Sequence, residues 1–187
     1  MRKLIASEFV SLDSLIVGTN EDITWVTNNF NEEMGNYAGT LQSSMGAILL
    51  GRVTYEIMIG FWPAAGDVPG AKEMNTTPKY IVSKTLDKAE WGTWNNATVL
   101  KDNITEQVQK LKQQPGKDIV IYGSGTLVSA LTQAGLIDEY HFLLHPIVVG
   151  SGKPLFKGIT SPVNMKLLRT GTFKNGVVVL YYAPAKN

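Results

Sequence analysis

Apolar positions along the chain switch repeatedly between a short-run pattern and a helical one, which is the signature of an α/β protein. Lys3 to Val10 predicts a first strand. From Asn31 to Met45, the residues Met34, Tyr37, Ala38, Leu41 and Met45 share one helical stripe. Ala47 to Leu50 predicts a buried strand ended by Gly51-Arg52, and Thr54 to Ile59 a short helix stopped by Gly60 and Pro63. Gly66 to Pro78, with Pro69-Gly70 inside it, has the composition of a long loop.

Tyr80 to Ser83 and Ala97 to Leu100 read as strands. Asn103 and Glu106 make a capping pair for a helix carrying Ile104, Val108 and Leu111, which Pro115-Gly116 ends. Asp118 to Tyr122 has the continuous apolar centre of a strand covered on both faces. Gly123-Ser124-Gly125 then turns the chain into a helix from Thr126 to Ala134, closed by Gly135. Tyr140 to Val149 predicts a long strand broken at Pro146. Met165 to Phe173 and Val177 to Ala183 flank Asn175-Gly176, a hairpin signal. The expectation is one domain over residues 1–187, a three-layer α/β/α fold with a mostly parallel mixed sheet and a C-terminal antiparallel hairpin.

Composition narrows the chemistry. Among 187 residues there is no cysteine, so disulfides, thiolate metal sites and a cysteine nucleophile are excluded. A formal net charge of +1 offers no electrostatic footprint for nucleic acid or an anionic membrane. The longest apolar runs, Gly46 to Leu50 and Val177 to Tyr182, fall short of the roughly 20 residues of a spanning helix. Ser7, Glu8, Ser11 and Asp13 interrupt any apolar core of a signal peptide, and a cytoplasmic location is expected. Two histidines are too few for a histidine metal cluster, and no metal is expected.

Three strand-to-loop junctions invite an anion. At Leu50-Gly51-Arg52-Val53-Thr54 a strand delivers a glycine, a guanidinium and a hydroxyl to a helix start. Val82-Ser83-Lys84-Thr85 offers a hydroxyl, an ammonium and a second hydroxyl, which suits a phosphate monoester such as the 2′-phosphate of NADP. Gly123-Ser124-Gly125-Thr126-Leu127-Val128 passes from strand through glycines into a helix, a cradle for a pyrophosphate. It is neither a Rossmann fingerprint, because Val128 stands at the last glycine position, nor a P-loop. Each junction also has a plain reading: a structural Gly-Arg turn at the first, a solvated exit from a strand at the second and a tight turn at the third.

In chain order, Ser11-Leu12-Asp13, Leu50 through Glu56, Pro78 through Leu86, Gly123 through Val128 and Gly135 through Tyr140 lead to Pro146 through Gly152 and Leu155-Phe156. This series resembles the RibD C-terminal domain family of pyridine-nucleotide reductases, which has the dihydrofolate-reductase-like fold. The resemblance spans nearly the whole chain. It implies that Gly51, Arg52 and Thr54 hold NADPH phosphates and that Ser83, Lys84 and Thr85 surround the 2′-phosphate. By the same resemblance Gly123, Ser124, Gly125, Thr126 and Leu127 lie under the pyrophosphate and ribose, and Val17 and Gly18 beside the nicotinamide. The implied activity is NADPH-dependent reduction of a small heteroaromatic, pterin- or pyrimidine-like substrate by a homodimer. The alternative is a dinucleotide- or pterin-binding module without turnover.

The chain departs from the riboflavin-pathway reductases in two places. Ser14-Leu15 stands where they resemble Gly-Lys, and Tyr55 to Pro63 where they carry Asp-x-Pro-x-Leu. Asp13 is the candidate proton donor or substrate hydrogen bond, with turn capping as its other reading. Trp25, Tyr55 and Trp62 are candidates to wall an aromatic substrate, or else packing. His141 and His145 read as structural, and Glu56 as a partner for a lysine. A dimer through the Tyr140–Leu144 strand and the final hairpin is expected.

Overall fold

The computed structural model describes residues 1–185. Its strands are β1 (Leu4–Val10), β2 (Leu15–Gly18), β3 (Met45–Gly51), β4 (Lys79–Val82), β5 (Ala97–Leu100), β6 (Asp118–Tyr122), β7 (Glu139–Leu144), β8 (Gly152–Pro154), β9 (Met165–Thr172) and β10 (Val178–Pro184). The helices are α1 (Thr24–Thr27), α2 (Glu32–Ser44), α3 (Arg52–Ile59), α4 (Ala71–Thr76), α5 (Ile104–Gln113) and α6 (Gly125–Gln133). An 8-stranded sheet runs in the order β5-β4-β3-β6-β1-β7-β10-β9, and β2 pairs with β8 in a separate 2-stranded sheet. Every neighbour pair from β5 to β7 is parallel, whereas β10 is antiparallel to both β7 and β9. The mixed sheet and closing hairpin are thus as expected.

The period-2 alternation of the strands sorts side chains between two layers. Leu4, Ala6, Leu49, Ile119 and Ile121 pack with Val108 and Leu111 of α5 and Leu127 and Leu131 of α6. Ile5, Ile48, Leu50 and Val120 pack on the other face with Leu41 of α2, Tyr55 of α3 and Met74 of α4. Ile48, Leu49, Leu50, Ile119, Val120 and Ile121 are fully buried, which explains why β3 and β6 read as unbroken apolar runs. Burial on both faces, worth about 1.5–3 kcal/mol for each large side chain, makes these strands the rigid centre.

Several local expectations need correction. The segment Gly66 to Pro78 is not all loop, because it contains α4, whose Met74 is buried against the sheet. Asn103 does not cap α5 with its side chain; it stands at φ 48 in the left-handed region and its carbonyl accepts from Gln107 N–H at 3.0 Å. The strand through Tyr140 stops at Leu144, since Pro146 has no N–H and Ile147 bonds back to His145. That strand is also interior, between β1 and β10, so it cannot pair across a dimer. The sheet edges are β5 and β9. At the hairpin, Gly176 takes φ 84, and Phe173 N–H donates to Val177 O at 2.8 Å.

Candidate active site

Strands β3 and β6 are parallel neighbours whose following helices leave toward opposite faces, α3 to one and α6 to the other. Such a parting opens a crevice at the carboxyl ends of the strands. Two of the anion-suited junctions lie at that point, and each packs a side chain against the glycine of the other. A Cβ at Gly51 would collide with Ser124 Oγ, and one at Gly123 would stand 2.9 Å from Thr54 Oγ1. Gly123 needs its left-handed φ of 62, and Ser124 follows it there at φ 66, a conformation unusual for a residue with a side chain. Neither α3 nor α6 has a side-chain N-cap, so the first-turn amides of two neighbouring helices are uncapped. Their dipoles and N–H groups favour one anion between them.

The remaining predicted cofactor residues follow β4, open α3, or lie on β2 and the first turn of α6. Ser83 is buried, its hydroxyl accepting from Thr85 N–H at 3.2 Å and Leu86 N–H at 3.1 Å, so it shapes the turn that leaves Lys84 and Thr85 exposed. The Arg52 guanidinium pairs with Glu56 at 2.7 Å, so Glu56 partners an arginine and not a lysine. Val17 and Gly18 lie on β2, opposite Lys153 and Gly152 of β8. This two-stranded flap rests on the start of α6: a Cβ at Gly125 would stand 2.9 Å from the carbonyl oxygens of Pro154 and Leu155. Thr126 is exposed beside it and Leu127 is core.

Asp13 takes the acceptor role of a turn-capping carboxylate. It accepts from Ser11 Oγ at 2.7 Å, Val149 N–H at 3.1 Å and Gly150 N–H at 2.7 Å, and these bonds lower its carboxyl to about 2. An ionised acceptor of three hydrogen bonds braces the loop after β7 against the end of β1. The three aromatic candidates do not form one wall. Trp25 is buried edge-on to His145 at 5.1 Å. Tyr55 is buried beside Trp91, its hydroxyl donating to Glu90 O at 2.9 Å. Trp62 packs in the same α3–α4 layer, with its carbonyl bonded to Asn75. Large aromatic area is worth more in a core than on a rim, which is why these rings went inward. His145 is packing as expected, fully buried between Phe9 and Trp25, and burial lowers its imidazole to about 4.

One carboxyl went unnoticed in the sequence. Glu8 projects from β1 into the α6 layer, 3% exposed, under the Gly123 bend. Burial raises it well above the usual carboxylate range, against a hydrogen bond from Gly123 N–H. Burial thus disfavours a fixed negative charge on Glu8 beneath the Gly123 bend. Its position between Ala6 and Val10, both core, was the available signal.

Sheet order, crevice and flap define a dihydrofolate-reductase-like fold. The RibD C-terminal domain matches residues 2–179, and the chain belongs to that family. It is 35% identical over 185 residues to the uncharacterized protein YyaP of Bacillus subtilis (strain 168), covering 97% of this chain and 94% of that one. A putative riboflavin biosynthesis protein from Shewanella sp. PV-4 superposes with a TM-score of 0.81 at 19% identity, over 98% of this chain and 99% of that one. Dihydrofolate reductase from Enterococcus faecalis, solved with NADP(H), gives 0.64 at 14% identity, over 98% and 97%.

Proposed function

We propose that this protein is a cytoplasmic NADPH-dependent reductase of a small heteroaromatic, pterin- or pyrimidine-like substrate. The observation that carries the reading is the contact between the Gly51 and Gly123 bends, which sets two uncapped helix starts side by side at the strand ends. The glycines let Ser124 and Thr54 close in on each other's bend, and burial disfavours a charge on Glu8 beneath them. Arg52 and Thr54 would hold phosphate from α3, Lys84 and Thr85 the 2′-phosphate, and the flap residues Val17 and Gly18 the nicotinamide. When bound, NADPH supplies the hydride; the chain supplies position and a proton.

Titration with NADPH should give saturable binding, and none at millimolar cofactor would refute the reading. Lys84→Ala should weaken NADPH about tenfold and leave NADH within twofold, the loss of one exposed charge-assisted phosphate contact. Equal loss for both cofactors would remove Lys84 from the 2′-phosphate. A binding module without turnover is the second reading, favoured by the conversion of Asp13 into a loop brace. Following NADPH consumption with a panel of pterins, pyrimidines and quinones separates the two.

A homodimer is also proposed, through the β9 edge in place of the β7 strand. There Leu167 and Leu168 are 48% and 46% exposed on an unpaired edge strand. Sedimentation at micromolar concentration should show twice the chain mass; a monomer would count against it.

A further inference from the structure

Packing explains the carbons of His145 and leaves its nitrogens unexplained. The imidazole stands edge-on to Phe9 of β1, at 5.7 Å between ring centroids, and to Trp25 of α1, at 5.1 Å, with no part of the residue exposed. Both ring nitrogens are buried without a hydrogen-bond partner. A neutral imidazole carries one donor and one acceptor, and folded proteins pair nearly all such groups when they bury them. Among the described residues, Arg2 and Glu8 each leave one buried polar atom unpaired; His145 leaves two.

Beside the imidazole lies a cavity of about 200 Å³, lined by Trp25, Asn29, His145, Pro146 and Ile147. No charged side chain is among them, and burial alone acts on the imidazole, which keeps it neutral. Most of this wall is pinned. Ile147 N–H donates to His145 O and Leu12 N–H to Ile147 O, both at 2.8 Å. The hairpin turn holds the other side: Asn175 Nδ2 donates to Asn29 O at 2.5 Å, and a Cβ at Gly176 would stand 3.2 Å from Pro146 Cγ. Trp25 is the looser wall. It sits in the four-residue α1, and its Nε1–H reaches Asp22 O at 3.3 Å, past the usual length. An indole that turns aside joins the imidazole nitrogens to the cavity. A closed apolar cavity of about 150 Å³ is enough to take up benzene, so a single ring fits here.

We infer that the Trp25–His145 cavity binds a small uncharged ring bearing a hydroxyl or ring N–H, with His145 as its hydrogen-bond partner and the Trp25 indole turned aside to admit it. A charged ligand would find no counter-charge in this lining, and a purely apolar ring would leave the nitrogens as they are. A hydroxyl or N–H gives the acceptor nitrogen the partner it lacks. The site is separate from the Gly51–Gly123 crevice, because β1 stands between β6 and β7 in the sheet. It stands whether or not NADPH is the cofactor.

The test uses phenol and benzene as probes on the whole protein at neutral pH, followed by NMR through the ring C–H signals of His145. The chain has only 2 histidines, and His145→Phe assigns them. Phenol should shift the His145 signals and the Trp25 indole N–H saturably and bind about tenfold more tightly than benzene, the effect of pairing one buried polar group. In His145→Phe, which keeps an aromatic ring and gives up both unpaired nitrogens, the two probes should bind within about twofold of each other. If that variant folds poorly, the comparison of the two probes on the wild type decides alone. A His145 signal unmoved by tens of millimolar phenol, a shift that never saturates, or benzene binding as tightly as phenol overturns the inference. Phenol keeping its advantage in a folded His145→Phe protein overturns it as well. NADPH titration reads the crevice separately, so neither result bears on the cofactor proposal.

Discussion

Gly152→Ala is expected to detach the β2–β8 flap, lowering stability by about 2–4 kcal/mol and NADPH affinity by more than tenfold. The backbones are too close for any side chain here: a Cβ at Gly152 would overlap Val17 O and crowd Gly18 Cα at 2.9 Å. The obstacle is the main chain of β2, so no rotamer change relieves it. The pairing of Leu15–Gly18 with Gly152–Pro154 must open, and with it the support that Pro154 and Leu155 give to the start of α6. Gly171→Ala is the control, since nothing lies within 4 Å of the added carbon. Thermal melts and NADPH titration of both variants decide the matter. A Gly152→Ala protein that melts and binds like Gly171→Ala would show that the flap does not shape the crevice.

Lys79→Met is expected to stabilise the protein at pH 7 by about 2 kcal/mol and to flatten its stability between pH 7 and 10. Lys79 opens β4 with no exposed surface. Its ammonium donates to Asn75 O at 2.6 Å and Asn96 Oδ1 at 3.3 Å and lies 4.4 Å from the Trp91 ring, with no carboxylate in reach. Burial lowers it from 10.5 to about 7. Across that interval the unfolded chain binds a proton that the folded chain does not, so stability rises with pH there and is lowest below it. At about 1.4 kcal/mol per pH unit, the cost at pH 7 reaches roughly 4 kcal/mol. Methionine keeps the length and the contact with Trp91 and gives up two hydrogen bonds, each worth about 1 kcal/mol. Asn75 O retains the Asn96 side-chain amide at 2.9 Å. Desolvation therefore outweighs the lost bonds. Urea melts at pH 7 and 10 that show the same slope in both proteins would sink the account.

What the sequence made legible was whatever a local pattern encodes. The strand at Leu4 to Val10, the apolar runs of β3 and β6 and the glycine-bearing bends at Gly51 and Gly123 were all readable locally. The flap stayed hidden because Leu15–Gly18 and Gly152–Pro154 are short and find each other across most of the chain. Helix α4 was masked by the prolines and glycines around it. The bracing role of Asp13 depends on the Val149 and Gly150 amides, which the fold brings over from the loop after β7.

The placement of β1 has a consequence for synthesis. This strand leaves the ribosome long before its hydrogen-bonding partners on both sides, Ile119 to Tyr122 and Glu139 to Leu144, which are made more than a hundred residues later. At about 5–20 residues per second, Leu4–Val10 waits on the order of ten seconds with two open edges. The nascent amino-terminal half therefore cannot close its own sheet, and an ordered hydrophobic centre forms only once the carboxyl-terminal third has emerged. Until then the segment is a ready client for holdase chaperones.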